Sequence, residues 1–112
     1  MVIFTYNLKT KIMKPTRKSM GETSFHHTVI HATVEQLRQV LGEPVCEQND
    51  GEDKVNFEWE METDSGIPFT VYDWKEYRVL DENEEIEWHI GGRRSIETAQ
   101  AAIEISNALA KL

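Results

Sequence analysis

The fold is decided by residues 55–62, which read VNFEWEME. Apolar side chains take every second position from Val55 to Met61, and Asn56 and three glutamates take the positions between and after them. Because successive side chains of a β-strand point to opposite faces, this alternation predicts a half-buried strand. We expect one face of that strand to lie in the core and the other face to be strongly acidic.

Two turns after this segment predict two further strands. Asp64-Ser65-Gly66 tolerates left-handed backbone angles and favours a hairpin, and DENEE at 81–85 marks the next turn. Apolar residues then alternate again from Ile86 to Ile90. The sequence therefore predicts a three-stranded antiparallel meander, with strands at about 54–63, 67–77 and 85–90.

A helix before the meander is predicted from residues 33–44. Thr33 is followed three residues later by Gln36, which is the spacing of a capping box. An apolar helical stripe continues to Leu41, where a glycine and then a proline end the helix. The alternating segment 25–32 predicts a strand in front of this helix.

The C-terminal segment 95–112 predicts a second helix. Ser95 is its candidate N-cap, and small apolar residues recur at three- and four-residue steps, so the helix should lie close against the sheet. The order β-α-β-β-β-α indicates an α+β fold, a single domain with an antiparallel meander sheet and the C-terminal helix packed on it. The residues expected in its core are Val55, Phe57, Trp59, Met61, Ile105 and Leu109.

Length and charge divide the chain into two parts. With 112 residues and 39% hydrophobic side chains, it is long enough to build one core. We assign residues 25–112 to a single α+β domain and residues 1–24 to a basic, poorly ordered N-terminal arm, in which VIFTYNL at 2–8 is a candidate extra strand. The arm has a net charge of +4, whereas the domain carries seven basic and 19 acidic side chains, a net charge of −12.

This composition argues against several classes of function. An acidic domain repels phosphates, so direct binding of DNA or RNA is not expected, although imitation of DNA stays open. No stretch approaches the roughly 18 apolar residues that span a bilayer, so no membrane partner is expected either. Cys46 is the sole cysteine and cannot form an intramolecular disulfide, which agrees with a reducing, cytoplasmic compartment.

Two motifs resemble those of a family of small proteins encoded by tailed bacteriophages. They read YDWKEY at 72–77 and WHIGG at 88–92, and a helix ending in LGEP at 41–44 precedes them. The resemblance runs from about Phe25 to the C-terminus. It implies a phage accessory protein in the cytoplasm of the bacterial host, with an anti-defence role, and it brings no particular activity with it.

The loop between the last strand and the last helix is the candidate ligand site. Two glycines allow a ligand to approach the backbone, the helix N-terminus offers free N–H groups, and two arginines can bind an anion. Aromatic side chains nearby could stack on a ring. The alternative is a plain strand-to-helix turn whose arginines lie in solvent. The candidate ligand-binding residues are Gly91, Gly92, Arg93, Arg94, Ser95, Tyr72 and Trp74.

Catalysis and metal binding are not expected. His27 and His31 would lie about 13 Å apart along one strand, too far to share one ion. Cys46, His89 and Asp73 could be written as a nucleophile triad, but no local signature supports it. The sequence therefore predicts no enzyme activity, no catalytic residue, no metal ligand and no cofactor.

Two function hypotheses follow. In the first, the chain holds a small nucleotide-like or other anionic molecule at the Gly-Gly-Arg-Arg-Ser loop, with Tyr72 or Trp74 stacking on it. In the second, the acidic face of Glu58, Glu60 and Glu62 blocks a basic site on a host protein. A homodimer is also predicted, because a meander leaves one edge uncovered.

Overall fold

The segment 55–62 supplies a central strand of the sheet in the computed structural model, which describes residues Met13–Leu112. The strands are β1 (Lys14–Pro15), β2 (Ser24–Ala32), β3 (Cys46–Glu47), β4 (Phe57–Glu62), β5 (Pro68–Tyr72) and β6 (Ile86–Gly92). The helices are α1 (Val34–Leu41) and α2 (Ser95–Ala110). The predicted α+β fold, with an antiparallel sheet and a C-terminal helix packed on it, is confirmed.

All strand pairs are antiparallel, and the order across the sheet is β1-β4-β5-β6-β2. The middle of this order, β4-β5-β6, is the predicted meander. The outer edge of β4 is covered at its two ends, by β1 opposite Glu62 and by β3 opposite Glu58. The strand predicted at 25–32 is β2, and it lies at the far edge, beside β6.

The second meander strand ends five residues earlier than the sequence pattern predicts. It ends at Tyr72, because the next side chain, Asp73, is fully buried and accepts hydrogen bonds from the backbone N–H groups of Asn56 and Phe57. Lys75 has a positive φ of 56°, which lies outside the range of a strand. The prediction that 73–77 continues the strand is therefore wrong.

The register confirms which face of β4 is buried. Phe57, Trp59 and Met61 are at most 2% exposed, as the alternation predicts, and they belong to the same core cluster as buried residues of both helices. Ile105 is also buried, and Leu109 is partly buried against the same core. The prediction for Val55 is wrong: it precedes β4, stays half-buried and borders the opposite face of the sheet.

Both core tryptophans find partners for their polar atoms. The indole N–H of Trp59 donates to the carbonyl oxygen of Gly42 at 2.7 Å, and that of Trp88 donates to the carbonyl oxygen of Ala32 at 2.9 Å. These bonds tie both ends of α1 to the sheet. A buried indole thus adds apolar area without an unsatisfied donor.

The predicted N-cap is confirmed for α1 and is wrong for α2. At α1 the capping box is confirmed, since Thr33 and Gln36 exchange side-chain and backbone hydrogen bonds. At α2 the prediction that Ser95 is the N-cap is wrong by one residue. Arg94 holds that position with an extended backbone, because its carbonyl oxygen accepts the first helical bonds, from the N–H groups of Glu97 and Thr98.

The described part of the basic arm lies against the sheet. Because β1 and β2 stand at opposite edges, residues 16–23, which we call the strap, have to cross from one edge to the other. Thr16 donates its backbone N–H to Glu60 and its hydroxyl to Glu62. The strap then runs to Ser24, at the start of β2. The candidate strand at 2–8 lies outside the described residues.

Candidate binding cleft on the open face of the sheet

The two faces of the sheet differ in what covers them. Both helices pack on the face of Trp59 and Trp88, so that face belongs to the core. The opposite face, which we call the open face, carries two rows of side chains that run across four strands. The registers give these rows as Glu58, Tyr72, His89 and Val29, and as Glu60, Thr70, Gly91 and Phe25.

A cleft of about 280 Å³ lies on the open face between these rows and the strap. Tyr72 and Trp74 form its aromatic side, Glu58 lies beside them, and Met20 of the strap borders it. Its floor contains Gly91, where an added Cβ would stand 2.5 Å from the hydroxyl of Thr70. A side chain at this position would clash with Thr70, so glycine allows the two strands to lie close together. The missing side chain also leaves the space of the cleft open.

The aromatic side of the cleft is a connected cluster. The rings of Tyr72 and Trp74 meet edge to face at 6.0 Å, and His89 lies 5.5 Å from the first and 6.2 Å from the second. Phe25 stacks on His89 at 3.9 Å, which extends the cluster across to β2. Trp74 remains 40% exposed at the outer end of this cluster. The open face thus offers a large ring surface to solvent.

Trp74 is held by fixed backbone on both sides, although its own side chain is exposed. On one side, Asp73 accepts hydrogen bonds from the backbone N–H groups of Asn56 and Phe57 at 2.8–3.1 Å. On the other side, the N–H of Lys75 donates to the carbonyl oxygen of Lys54 at 2.7 Å. An exposed aromatic ring on a positioned backbone loses little freedom when it binds, which favours a role in recognition.

The electrostatics of the cleft are negative on its β4 side. Burial, and secondarily the charge of Glu60, raises the pKa of the Glu58 carboxyl above its ordinary value. Burial and the charge of Glu58 likewise raise the pKa of the Tyr72 hydroxyl. Within Met13–Leu112, no lysine, arginine or histidine lies within 4.0 Å of either glutamate's carboxylate. Both acids are therefore without a paired cation among the residues that the structure describes, and Glu58 lies beside the rings.

The third glutamate of β4 is in a different situation. Glu62 accepts a hydrogen bond from the hydroxyl of Thr16 at 2.7 Å, and the ammonium groups of Lys14 and Lys18 lie 4.0 and 3.8 Å from its carboxylate. A second cavity, of about 470 Å³, borders this group. Because the lysines already face Glu62, the charges there compensate one another.

The predicted anion loop uses its residues largely for internal contacts. The guanidinium of Arg93 donates to the carbonyl oxygens of Ser19 and Gly21, at 3.0 and 3.3 Å, and so holds the strap. The guanidinium of Arg94 pairs with Glu97 at 3.0 Å. Gly92 is in close contact with α2, since an added Cβ would stand 2.8 Å from the methyl group of Thr98. Ser95 is the first helical residue of α2.

The structure therefore divides the seven predicted ligand-binding residues. Gly91, Tyr72 and Trp74 border the cleft, whereas Gly92, Arg93, Arg94 and Ser95 do not. Sequence reasoning did not place Glu58 beside the two rings. The pairing of Glu58 with Tyr72 across β4 and β5 brings them together, and the alternation in both strands was the available signal.

No protein-family model, no curated protein and no solved structure matches the chain. In the described range, no three histidine, cysteine or acidic side chains group as metal ligands. Between Met13 and Leu112, no helix combines the length and apolar character needed to cross a membrane.

Proposed function

We propose that the chain is a protein-interaction module whose open face binds a basic site on another protein. The observation that carries the proposal is that Glu58 and Glu60 have no basic side chain within 4.0 Å among residues 13–112 and lie on a sheet face that neither helix covers. Glu58 shares a cleft on that face with the exposed ring of Trp74. Aromatic anchors surrounded by complementary charge are the usual composition of an interaction hot spot. This is the second of the two hypotheses drawn from the sequence, without Glu62, whose carboxylate faces Lys14 and Lys18.

The charge distribution favours a cationic partner over an anionic one at this face. An anion in the cleft would meet Glu58 directly, and the two arginines that were candidates for binding it are engaged elsewhere, Arg93 with the strap and Arg94 with Glu97. Burial raises the pKa of Glu58 and the charge of Glu60 raises it further, so a cationic group at this position would relieve the repulsion between the two acids. Binding of such a group is therefore favourable for the acids already present.

A charge-neutralising pair of variants tests this function. The double variant Glu58→Gln/Glu60→Gln is compared with Glu35→Gln/Glu52→Gln, which removes the same charge from two exposed positions that do not line the cleft. Binding of fluorescein-labelled octalysine is measured by anisotropy at low and high salt. We expect the first double variant to weaken binding roughly tenfold and the second less than about twofold.

Both double variants remove two negative charges, so a difference in binding between them cannot come from net charge. Equal weakening in both double variants would mean that octalysine responds to net charge alone, and the proposed role of the open face would then be wrong. Labelled octaglutamate is the control for nonspecific adsorption, and it should bind to neither variant.

The first sequence hypothesis, a small nucleotide-like or anionic ligand, remains a second candidate, because Gly91, Tyr72 and Trp74 do border one cleft. Its test is a thermal-shift screen with a nucleotide panel, followed by calorimetry on Arg94→Ala. Arg94 is the better variant, since Arg93 also holds the strap. If it contributes to binding a nucleotide, removing it should cost about 1.5–3 kcal/mol of affinity.

The biological setting is a separate proposal. The resemblance of YDWKEY and WHIGG to motifs of small tailed-phage proteins supports an accessory, anti-defence role in the cytoplasm of a bacterial host. In that setting the partner would be a host protein with a basic functional site. Occupation of this site by the acidic open face would be the mechanism.

A further inference from the structure

The size of the cleft limits what can enter it. Pockets that enclose drug-sized ligands have volumes of about 300–1,000 Å³, and the cleft, at about 280 Å³, falls just below this range. It is also open to solvent along the ring of Trp74, which is 40% exposed. A single side chain that reaches in from a bound partner matches this size.

The chemistry of its walls defines which side chain fits. Tyr72 and Trp74 present ring surface, which attracts flat groups and cations. Glu58 supplies a carboxylate in the same cleft. A group that is both planar and positively charged could stack on the rings and pair with the carboxylate at the same time.

The surroundings of Trp74 show that its ring already attracts cations. The ammonium groups of Lys54 and Lys75 lie 6.0 and 5.5 Å from the ring centre, within the range of a cation-π contact. Both lysines are exposed. Their ammonium groups are strongly hydrated and not planar, whereas a guanidinium is weakly hydrated, stacks on aromatic rings and can bind a carboxylate with two hydrogen bonds.

We propose that the open-face cleft holds the guanidinium group of one arginine of the partner, against the rings of Tyr72 and Trp74 and facing the carboxylate of Glu58. This inference rests on the proposed interaction function and names the anchor residue of the partner. The rest of the acidic face then contributes charge attraction, and the cleft contributes selectivity for arginine over lysine.

Three peptides that differ at one position test the proposal. Each is a labelled Lys-Gly-Lys-X-Lys-Gly-Lys peptide in which X is arginine, lysine or citrulline, the last being planar like arginine but uncharged. Binding to the full chain is measured by anisotropy. We expect the arginine peptide to bind about fivefold more tightly than either of the others, which corresponds to one partly exposed cation-π contact.

Variants of the cleft locate the selectivity. Trp74→Ala should abolish the preference for arginine and leave the affinity for the lysine peptide nearly unchanged, and thermal unfolding checks that this exposed position leaves the fold intact. Lys75→Ala should strengthen binding of the arginine peptide, because it removes a competing cation from the ring. Lys111→Ala serves as a control for the lost positive charge, since this lysine is also exposed and does not line the cleft.

The possible results separate the two proposals. Equal binding of all three peptides, or a preference for arginine that survives in Trp74→Ala, would overturn the arginine cleft while the acidic-face function could still stand on its own test. Citrulline binding as tightly as arginine would also overturn it, since a neutral planar group would then be the occupant. If Glu58→Gln/Glu60→Gln binds octalysine normally, the interaction function itself fails.

Discussion

Tryptophans on the two faces of the sheet have different roles. On the covered face, Trp59 and Trp88 are fully buried and each indole N–H has an acceptor. On the open face, Trp74 is 40% exposed, and Glu58 and Glu60 have no cation within 4.0 Å in the described part of the chain. Buried side chains whose polar atoms have hydrogen-bond partners stabilise the fold. Exposed rings and acids without such partners are available to bind another molecule.

The same contrast holds for two carboxylates. Asp73 is completely buried and accepts hydrogen bonds from two backbone N–H groups and from the side chain of Asn56. Glu58 is half-buried, its carboxylate accepts no hydrogen bond from the described residues, and burial raises its pKa. The first carboxylate organises the loop that carries Trp74, and the second faces the cleft beside that ring.

The largest expected effect distinguishes the tryptophans. Trp59→Ala should lower the free energy of unfolding by about 3–5 kcal/mol, because it leaves a cavity in the core and an unpaired carbonyl at Gly42. Trp74→Ala should change it by no more than about 0.5 kcal/mol. Urea unfolding of both variants measures the difference, and comparable losses would break the distinction between the two faces.

The next effect concerns Asp73. Asp73→Ala should cost about 2–4 kcal/mol, since it leaves the buried N–H groups of Asn56 and Phe57 without an acceptor. Asp53→Ala, at an exposed loop position, is the matched control and should be nearly neutral. If Asp73→Ala unfolded at the same urea concentration as the parent, Asp73 could not be the anchor of the Trp74 loop.

A smaller effect concerns Arg93 and the strap. Arg93→Ala removes the hydrogen bonds to the carbonyl oxygens of Ser19 and Gly21, so the strap should open more often and trypsin should cleave faster after Arg17 and Lys18. Arg94→Ala is the control, because it breaks only the pair with Glu97. Cleavage is followed by mass spectrometry under native conditions. Equal rates in the two variants would show that Arg93 does not hold the strap.

The smallest effect is a gain in stability on the open face. Because the pKa of Glu58 is raised in the folded state, its ionisation destabilises the fold as pH rises from the ordinary glutamate pKa through the raised one. Glu58→Gln should therefore raise the free energy of unfolding at neutral pH by only about a few tenths of a kcal/mol, since solvent screens this partly exposed carboxylate, and show no gain in acid. Melting curves against pH test this. A destabilised variant at neutral pH would mean that the carboxylate has a cationic partner after all.

Local patterns in the sequence predicted the elements but not the cleft. Alternation over 55–62 is sufficient to assign the two faces of β4, because a period of two is a property of the strand itself. The cleft depends on distant pairings, since Met20, Glu58 and Trp74 meet only through the order of the strands and the path of the strap. The packing of the whole domain sets that order, so the order cannot be predicted from the apolar pattern of any single segment.

The Gly-Gly-Arg-Arg-Ser loop shows that a local motif can suggest a binding site although its residues contact distant parts of the chain. Its residue types match an anion site, but Arg93 finds its acceptors at Ser19 and Gly21, more than seventy positions earlier in the chain. Gly91 and Gly92 are explained by contacts with Thr70 and Thr98, which a local motif cannot show. Whether this loop also binds an anion stays a prediction.

The position of β2 beside β6 has a consequence for how the chain reaches its fold. Their paired residues are 54 to 68 positions apart, so β2 has no neighbouring strand until nearly all of the domain has left the ribosome. Closing so long a loop costs entropy before any contact repays it, which makes this pairing a slow step. We expect β2 to dock late in folding, after the β4-β5-β6 meander has formed from neighbouring segments. Until then Ile30 and Ala32 lie exposed on an unpaired strand, and that interval is when the chain is most prone to aggregate.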